Sequence, residues 1–394
     1  MSESTSATAR GIQAGGALAW PLRRMLTRLL SSISVGSVVI ELPDGQCVNG
    51  RGAAAGPHAA ITLHRWRAMA RLAVQGDIGL AESYRDGDWS TPDLVALLDF
   101  GARNEASWAG TVNAPWPVRM LSRLQHLARG NSRRGSRQNI AFHYDIGNAF
   151  YAQWLDPQLI YSSALYSDSA QTKLTLEEAQ AAKLERVIEL LELDRAADPA
   201  TSVLEIGCGW GALALAIAGR GNVALTGLTL SAQQLAFAQQ RVTEQGAQER
   251  VDLRLQDYRD VQGSYDRIVS IEMLEAVGER YWPTYFQTLR QRLRPGGLAV
   301  LQVITIGESH FDGYRSGADF IQRFIFPGGM LPSISVMQQQ ARAAGLVLSR
   351  ELSFGDSYAT TLAAWRHRFI EAWPAIEAQG FDLRFRRLWT YYLA

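Results

Sequence analysis

The sequence predicts an α/β fold, Rossmann-like with a mainly parallel sheet, in its second half, preceded by a smaller amino-terminal α+β domain. Three observations predict the sheet. An apolar run ends in a turn with three alternating glycines, strand-like and helix-like segments then alternate, and polar or acidic residues follow the strand-like segments. A strand that enters a glycine-rich turn and continues as a helix is typical of nucleotide-binding units in open parallel sheets.

The glycine-rich turn follows the strand-like run Ser202-Val-Leu-Glu-Ile and has the sequence Gly207-Cys-Gly-Trp-Gly211. Its glycines let the backbone approach a ligand closely and adopt the dihedral angles of a tight turn. The pattern is not the G-x-G-x-x-G of dinucleotide folds, and no Gly-Lys-Ser/Thr follows to hold a triphosphate. The turn therefore favours S-adenosylmethionine as ligand and predicts a class I S-adenosylmethionine-dependent methyltransferase. The alternative is a turn without a ligand.

The following elements continue the same unit. We predict further strands at 222–229, 251–255 and 266–271, with a helix at 231–245. Because the carboxyl ends of parallel strands meet in one crevice, Glu205, Thr229, Asp257 and Ile271 should converge there. Asp257 could accept a hydrogen bond from an adenine amino group. Methyltransferases usually carry an acid for the ribose hydroxyls at the position of Thr229, which here is followed five residues later by Gln234.

The 394 residues are sufficient for two domains. We predict a disordered tail over 1–23, the small domain over 24–128, a basic linker over 129–140 and the methyltransferase domain over 141–394. The linker begins Arg129-Gly-Asn-Ser-Arg-Arg-Gly-Ser-Arg. It is either a solvated connector or a contact with anionic lipid headgroups.

The composition argues against several classes of protein. The net charge of +1 gives no reason to expect nucleic acid as a partner. The two cysteines, Cys47 and Cys208, provide neither a disulfide framework nor a metal cluster, and they fit a reducing cytoplasm. We interpret Cys208 as a packing residue. No apolar run approaches the roughly 20 residues that span a bilayer, so any membrane association should be peripheral.

Further motifs resemble a known family. They are His143-Tyr-Asp-Ile-Gly-Asn148, Trp154-Leu-Asp-Pro157, Tyr161-Ser-Ser163, Leu228-Thr-Leu-Ser231, Met273-Leu-Glu-Ala-Val-Gly278 and Ile325-Phe-Pro-Gly-Gly-Met-Leu-Pro332. In this order they resemble the cyclopropane-fatty-acyl-phospholipid synthases and the related mycolic acid cyclopropane synthases, from about residue 60 to the end. The resemblance implies methylene transfer from S-adenosylmethionine to the double bond of unsaturated phospholipid acyl chains, which forms a cyclopropane fatty acid.

The resemblance also implies two sets of site residues and no metal. The expected cofactor-binding residues are Tyr161, Ser162, Glu205, Gly207, Gly209, Thr229, Leu230, Gln234, Gln256, Asp257 and Ile271. The expected catalytic residues, which would cradle a bicarbonate ion acting as general base, are Ser163, Glu275, Gln302, Ile304 and Tyr358. Glu272 lies three residues before Glu275, but relatives lack an acid at position 272, so the resemblance favours Glu275.

Two cradle positions depart from the family pattern. Ser163 replaces a cysteine and keeps its backbone donor. Gln302 replaces a histidine; it can hydrogen-bond an anion but cannot be cationic or carry a proton. This change leaves a methyl or methylene branch as an alternative to the cyclopropane ring. Relatives continue with a segment that would form the last strand of the sheet, and this segment looks absent here. Methylation of a soluble small molecule and a non-catalytic lipid-binding relative remain as further alternatives.

The resemblance finally implies partners and a location. The expected partners are an unsaturated phospholipid at the membrane surface and a second copy of the chain in a homodimer. The expected location is the cytoplasm, with peripheral attachment to the inner face of the membrane. The amino-terminal domain is expected to engage lipid and to dimerise. His143 should contact the cofactor or cap a helix. Most aromatic residues after the sheet should be core, and a minority should line an acyl channel.

Overall fold

A computed structural model of the 394-residue chain describes residues 19–112, 131–133, 135–136, 139, 146–166, 174–193 and 199–394. The chain divides into two compact units, Met1–Pro115 and Trp116–Ala394. The division lies earlier than the boundary expected at residue 128. His143 and most of the basic linker lie outside the described residues. No helix within the described ranges is long and apolar enough to cross a bilayer.

The first unit combines helices with a small mixed sheet. Its described elements are α1 (Ala19–Ser31), β1 (Val35–Glu41), β2 (Cys47–Arg51), β3 (Ala54–Leu63), α2 (Arg67–Gln75), α3 (Asp77–Arg85), β4 (Trp89–Ser90) and α4 (Leu94–Val112). The strand order is β2-β1-β3-β4, with β1 and β3 parallel and the other pairs antiparallel. Helix α1 begins at Ala19, so residues 19–23 are helical and not part of a disordered tail.

A buried carboxylate organises the segment between α2 and β4. The Asp88 side chain is fully buried, and Arg67 donates to both of its oxygens at 2.7 Å. The neighbouring Trp89 is also fully buried and donates from its indole nitrogen to the Leu80 carbonyl at 3.0 Å. A buried charge is tolerated only when it is paired, and Arg67 is that partner for Asp88.

The second unit contains the predicted sheet and the helices around it. Its described elements are α5 (Asn148–Tyr151), α6 (Leu176–Leu190), β5 (Thr201–Ile206), α7 (Ala212–Ala218), β6 (Val223–Thr229), α8 (Ala232–Glu244), β7 (Val251–Leu255), β8 (Tyr265–Ile271), α9 (Leu274–Val277), α10 (Trp282–Arg292), β9 (Leu293–Gln302), α11 (Glu308–Arg315), α12 (Phe320–Phe324), α13 (Ile334–Ala343), α14 (Gly355–Glu371), α15 (Trp373–Glu377) and α16 (Leu383–Leu393). Short 3₁₀ turns occupy Tyr258–Asp260 and Glu279–Tyr281.

The sheet of the second unit has the order β7-β6-β5-β8-β9, and all of its described strand pairs are parallel. The predicted α/β Rossmann-like fold is confirmed. The chain runs outward from β5 to β7 and then returns to the other side of β5 with β8. A crevice at the carboxyl ends of β5 and β8 is therefore the expected ligand site. The described residues after β9, 303–394, form helices and loops without a further strand.

Apolar side chains cover both faces of this sheet. Neighbouring residues of β5 alternate between them: Val203 packs with Ile217 of α7 and Val242 of α8, whereas Leu204 packs in a second cluster that includes Leu289 of α10. Strands buried on both faces are expected to be rich in apolar residues, and Val203, Leu204 and Ile206 supply them in β5. Cys208 packs in the first cluster, and burial raises the pKa of its thiol.

Candidate active site

A cavity of about 440 Å³ lies at the carboxyl ends of the strands in the second unit. Most of the predicted site residues line it: Tyr161, Ser162, Glu205, Gly207, Gly209, Thr229, Leu230, Gln234, Gln256, Ile271, Glu275, Ile304 and Tyr358. Three predicted residues, Ser163, Asp257 and Gln302, are buried and are not among the described residues that line it. The crevice thus lies where the strand order predicts it.

The glycine turn forms one wall of the cavity. All three glycines have left-handed backbone angles, with φ of 87° at Gly207, 52° at Gly209 and 84° at Gly211. The amides of Gly207 and Cys208 donate to the Leu228 carbonyl at 2.9 and 2.8 Å, which folds the turn back onto β6. A side chain at Gly209 would meet no atom within 4 Å. The turn therefore leaves space against bare backbone, as a closely approaching ligand requires.

Glu205 is a buried acid beside the turn. Burial raises the pKa of its carboxyl to about 8, although the charge of Lys183 opposes the shift. Its Oε2 atom is buried and has no hydrogen-bond partner among the described residues. A buried acceptor without a donor is unfavourable. An ammonium group of a ligand in the cavity would supply one, so the residues here fit the amino-acid end of S-adenosylmethionine.

Thr229 and Gln234 form a neutral pair at the position where methyltransferases usually carry an acid. The Thr229 hydroxyl donates to Gln234 Oε1 at 3.0 Å and accepts from the Ser231 amide at 3.2 Å. Both Thr229 and Gln234 are buried and line the cavity. They offer hydroxyl and amide groups for ribose without a charge.

Asp257, the predicted adenine acceptor, is paired with an arginine in the structure. Arg259 donates to its two oxygens, from Nε at 2.8 Å and from Nη2 at 2.6 Å. Burial raises the pKa of Asp257, but the hydrogen bonds and charge of Arg259 outweigh it and hold that pKa below its ordinary value. Asp257 is thus a member of a buried ion pair, while the adjacent Gln256 and Tyr258 line the cavity.

Lys183 is a cavity-lining residue that the sequence reasoning missed. Its ammonium group is fully buried and donates to the Ser162 hydroxyl at 2.6 Å. Burial lowers its pKa to about 8, while the charges of Glu272, Asp156 and Glu205 oppose that shift. The ammonium group therefore supplies positive charge inside an otherwise acidic site.

A signal for Lys183 was present in the sequence. Leu176, Gln180, Lys183, Leu184 and Val187 recur at helical spacing and are buried along one face of α6. A charged residue on such a face is seldom solvated and needs a buried partner. Lysine at this position therefore indicated an internal site.

Two glutamates follow β8 at the cavity. Glu272 Oε1 accepts from the Ser163 amide and from Gln302 Nε2, each at 2.8 Å. The Ile271–Gln302 pairing of β8 with β9 places Gln302 beside Glu272, whose own amide donates to the Gln302 carbonyl at 2.8 Å. Glu272 lines the cavity. The sequence favours Glu275 over Glu272, and in the structure Glu275 lines the cavity together with Glu272.

Glu275 lies in the first turn of α9. Its Oε1 accepts from the Ile304 amide, and its buried Oε2 has no hydrogen-bond partner among the described residues. The Met330 amide donates to its backbone carbonyl at 2.8 Å. Burial, followed by the charge of Glu272, raises the pKa of Glu275 to about 8. Glu275 is therefore the more readily protonated member of the pair.

The expected bicarbonate cradle does not fit this arrangement. The Ser163 amide and the Gln302 side chain donate to Glu272, and the Ile304 amide donates to Glu275. These donors are thus engaged by the protein's own carboxylates. An additional anion would meet two carboxyl groups instead of free donors, and like charges repel.

The remaining cradle residue, Tyr358, lies on α14 and lines the cavity. Burial raises the pKa of its hydroxyl well above the ordinary range, and the hydrogen bond with Tyr392 acts in the same direction. Tyr392 also shares a hydrogen bond with Tyr161, with 2.8 Å between the two hydroxyl oxygens. These neutral hydroxyls connect α16 to the motif after α5.

Aromatic and aliphatic side chains form another part of the cavity wall. Tyr161 lies 5.3 Å from Trp365 and 6.4 Å from Phe326, measured between ring centroids. Tyr314, Ile321, Met330, Leu331 and Leu362 also line the cavity. Other aromatics after the sheet, including Phe369 and Trp373, are buried core residues. Aromatics after the sheet are thus divided between core and cavity wall, and the acyl channel stays a prediction.

Residues 131–394 match the family model described as mycolic acid cyclopropane synthetase. The chain is 38% identical to the tuberculostearic acid methyltransferase UfaA1 of Mycobacterium tuberculosis over 351 residues, which cover 86% of this chain and 80% of that protein. It is 38% identical to the cyclopropane-fatty-acyl-phospholipid synthase of Escherichia coli K12 over 326 residues, 82% of this chain and 79% of that protein.

Solved structures with a similar fold include two relatives of the same kind. The cyclopropane synthase MmaA2 from Mycobacterium tuberculosis is 28% identical and superposes with a TM-score of 0.59. The alignment covers 65% of this chain and 90% of that one. Mycolic acid cyclopropane synthase CmaA1, complexed with SAH and CTAB, is 30% identical, with the same TM-score and the same coverage.

Proposed function

This chain belongs to the mycolic acid cyclopropane synthetase family and is an S-adenosylmethionine-dependent methyltransferase that modifies lipid acyl chains, and from this premise we propose that it acts on the double bond of unsaturated acyl chains in membrane phospholipids. One observation carries the proposal. A single cavity combines the glycine turn, an aromatic and aliphatic wall, and buried carboxyl groups.

S-adenosylmethionine, when bound, supplies an electrophilic methyl group on a sulfonium. The turn at Gly207 and Gly209 would accept it against bare backbone, and Glu205 would receive its ammonium group. Ser162, held by Lys183, lies on the same cavity wall. These residues would hold the cofactor in the cavity that the acyl chain would also enter.

The acyl double bond is a weak nucleophile, and its attack leaves a positive charge on the chain. The faces of Tyr161, Phe326 and Trp365 would stabilise that charge, as aromatic rings stabilise cations. The aliphatic wall would exclude water that could capture the cation. The reaction ends when a base removes a proton, and the cavity contains carboxyl groups for this step.

The cyclopropane ring is the product that the sequence predicts. It forms when the proton leaves the transferred methyl carbon and the electron pair closes the ring. A methylene branch is a second candidate, and a specific observation favours it. Gln302, the replacement for histidine, donates to Glu272 at 2.8 Å, and Glu272 is the one of the two that lines the cavity. The similarity to a tuberculostearic acid methyltransferase supports the same candidate. A methyl branch would additionally require reduction by a partner.

The test uses the purified full chain, methyl-labelled S-adenosylmethionine and vesicles of a monounsaturated phospholipid. Acyl chains are analysed by gas chromatography and mass spectrometry before and after catalytic hydrogenation. We expect labelled chains that are one carbon heavier. Resistance to mild hydrogenation identifies the ring, and uptake of hydrogen identifies the methylene branch. Label in a soluble acceptor, or no label in any acyl chain, would contradict the proposal.

We further propose that the enzyme is a homodimer attached peripherally to the inner face of the membrane. Helix α1 supports the membrane contact, because Trp20, Arg24 and Arg28 lie four residues apart on an exposed face. The Arg24 guanidinium lies 5.7 Å from the centre of the Trp20 ring. Tryptophan and arginine favour the interface of anionic bilayers. Homodimerisation is supported by the family resemblance.

A further inference from the structure

We propose that the Glu272 carboxylate is the general base of the reaction and takes the place of the bicarbonate ion that the family resemblance implies. The inference deepens the proposed function and depends on it. It begins from the convergence of two donors, the Ser163 amide and Gln302 Nε2, on Glu272 Oε1 at 2.8 Å each. Both donors were expected to bind the external anion.

The positions of these residues relative to the cavity support the replacement of bicarbonate by Glu272. Ser163 and Gln302 are only 2% and 8% exposed and do not themselves line the cavity among its described residues, whereas Glu272 does. Gln302 Nε2 also donates to the Ser163 carbonyl at 3.2 Å, which ties the two supports together. The donors therefore act on the cavity through the Glu272 carboxylate.

The backbone of Glu272 is unusual in a way that serves this position. Its φ of 47° is in the left-handed region, which a glutamate rarely adopts without a compensating contact. The 2.8 Å hydrogen bond from its amide to the Gln302 carbonyl fixes the conformation. Strained residues of this kind cluster at functional sites, and here the strain places a carboxylate in the cavity.

The electrostatics select Glu272 over Glu275 as the base. Burial raises the pKa of Glu272, but the Ser163 amide, the charge of Lys183 and the Gln302 side chain oppose that shift. Burial and the charge of Glu272 raise the pKa of Glu275 to about 8, and only backbone hydrogen bonds oppose that shift. Glu275 is therefore the more readily protonated of the two, and Glu272, whose ionised form is favoured by three neighbouring groups, is the better placed proton acceptor. The charge of Lys183 acts on Glu272, and both glutamates act on Tyr358. The other titratable residues that line the cavity are Tyr161, Glu205, Cys208, Tyr258, Tyr314, Asp319 and Tyr392.

The step balances without another reactant. The carbon–sulfur bond of the cofactor breaks, the π electrons of the alkene bond the methyl carbon to one alkene carbon, and the other alkene carbon becomes positive. A carbon–hydrogen bond of the methyl group then breaks. Its electron pair closes the ring or, after a hydride shift, forms the methylene double bond. The proton goes to Glu272, which accepts both of its hydrogen bonds at Oε1 and so has Oε2 for the proton, and it later passes to solvent.

The experiment compares full-length variants in carbonate-free buffer with labelled S-adenosylmethionine and monounsaturated phospholipid vesicles. We expect the unaltered enzyme to be independent of bicarbonate. Glu272→Gln should lose about 100-fold or more in rate while binding S-adenosylmethionine, measured by calorimetry, within a few-fold. Glu249→Gln, at an exposed glutamate outside the cavity, is the matched control and should keep full activity.

The variant Glu272→Gly tests for rescue by an added anion, which would not occur if Glu272 only supported the fold. Glycine accepts the left-handed φ, and removal of the carboxylate frees the Ser163 and Gln302 donors. Added bicarbonate or formate should therefore restore activity of this variant at least about tenfold over its carbonate-free rate. If the unaltered enzyme requires bicarbonate, or if Glu272→Gln remains active, the inference is overturned while the proposed function stands. If the unaltered enzyme labels no acyl chain, both are overturned.

Discussion

The ammonium group of Lys183 donates to the hydroxyl of Ser162 at 2.6 Å inside the second unit. The two residues belong to different segments, α6 and the loop after α5. Their contact brings a buried positive charge to the wall of a cavity that also contains Glu205, Glu272 and Glu275. The charge partly offsets the cost of burying those acids.

Replacing this charge should change the pH dependence of the enzyme. In Lys183→Met, the pKa of Glu272 and of Glu205 should rise, because a nearby positive charge favours the ionised carboxylate. The acidic limb of the pH–rate profile should move upward by about one unit, and the rate at pH 7 should fall about tenfold. Lys183→Arg keeps the charge and is the control. An unshifted profile in Lys183→Met would show that the ammonium group does not act on the carboxylates.

The buried acids should make the folded state less stable as the pH rises. The pKa values of Glu205 and Glu275 are raised to about 8, so the folded state retains protons that the unfolded chain releases near pH 4.5. Their stabilising contribution is complete below that pH and is lost progressively as the pH rises to about 8. The decrease in unfolding free energy should amount to a few kcal/mol.

Urea titrations at pH 5.5 and pH 8 would measure this decrease. Glu275→Gln cannot ionise and should reduce the difference between the two values. If the free energy of unfolding decreases equally in the variant and in the unaltered chain, Glu275 is not a source of the pH dependence.

The glycine turn should be sensitive to a single methyl group. In Gly207→Ala the residue would retain a φ of 87°, and the new Cβ would lie 3.2 Å from Met273 Cγ. We expect a loss of about 1–2 kcal/mol in stability and about a tenfold loss in affinity for S-adenosylmethionine, measured by calorimetry.

Gly246→Ala separates backbone strain from ligand contact. Gly246 also has a positive φ, 61°, but an added Cβ would meet no atom within 4 Å, and the residue does not line the cavity among its described residues. It should lose similar stability with unchanged cofactor affinity. Equal affinity losses in the two variants would argue against a role of the turn in binding.

The Asp257–Arg259 pair should behave as a structural ion pair. Arg259→Met leaves a buried carboxylate without its partner and should cost about 3–5 kcal/mol of unfolding free energy. The double variant Asp257→Asn/Arg259→Met should recover much of this loss, as measured by urea titration. A normal stability of Asp257→Asn together with a large loss of cofactor affinity would instead support Asp257 as the adenine acceptor.

The sheet was predictable because its signals are local. The run before Gly207 and the alternation after it lie within short segments, and β5 to β8 form where the sequence indicates them. The choice between Glu272 and Glu275 was not predictable in this way. It depends on Ser163, more than one hundred residues earlier in the chain, and on strand pairing with Gln302. Nor could Asp257 be separated from Arg259, because the two-residue spacing does not show that their side chains pair.

The left-handed backbone of Glu272 also has an evolutionary consequence. Glycine is the residue that adopts such a φ most easily, and the codons of glutamate and glycine differ only in their second base. A single nucleotide exchange would therefore convert an enzyme that contains its own base into one that recruits a base from solution, without remodelling the surrounding chain. On the proposed mechanism, the two kinds of active site are neighbours in sequence space, and lineages can cross between them in one step.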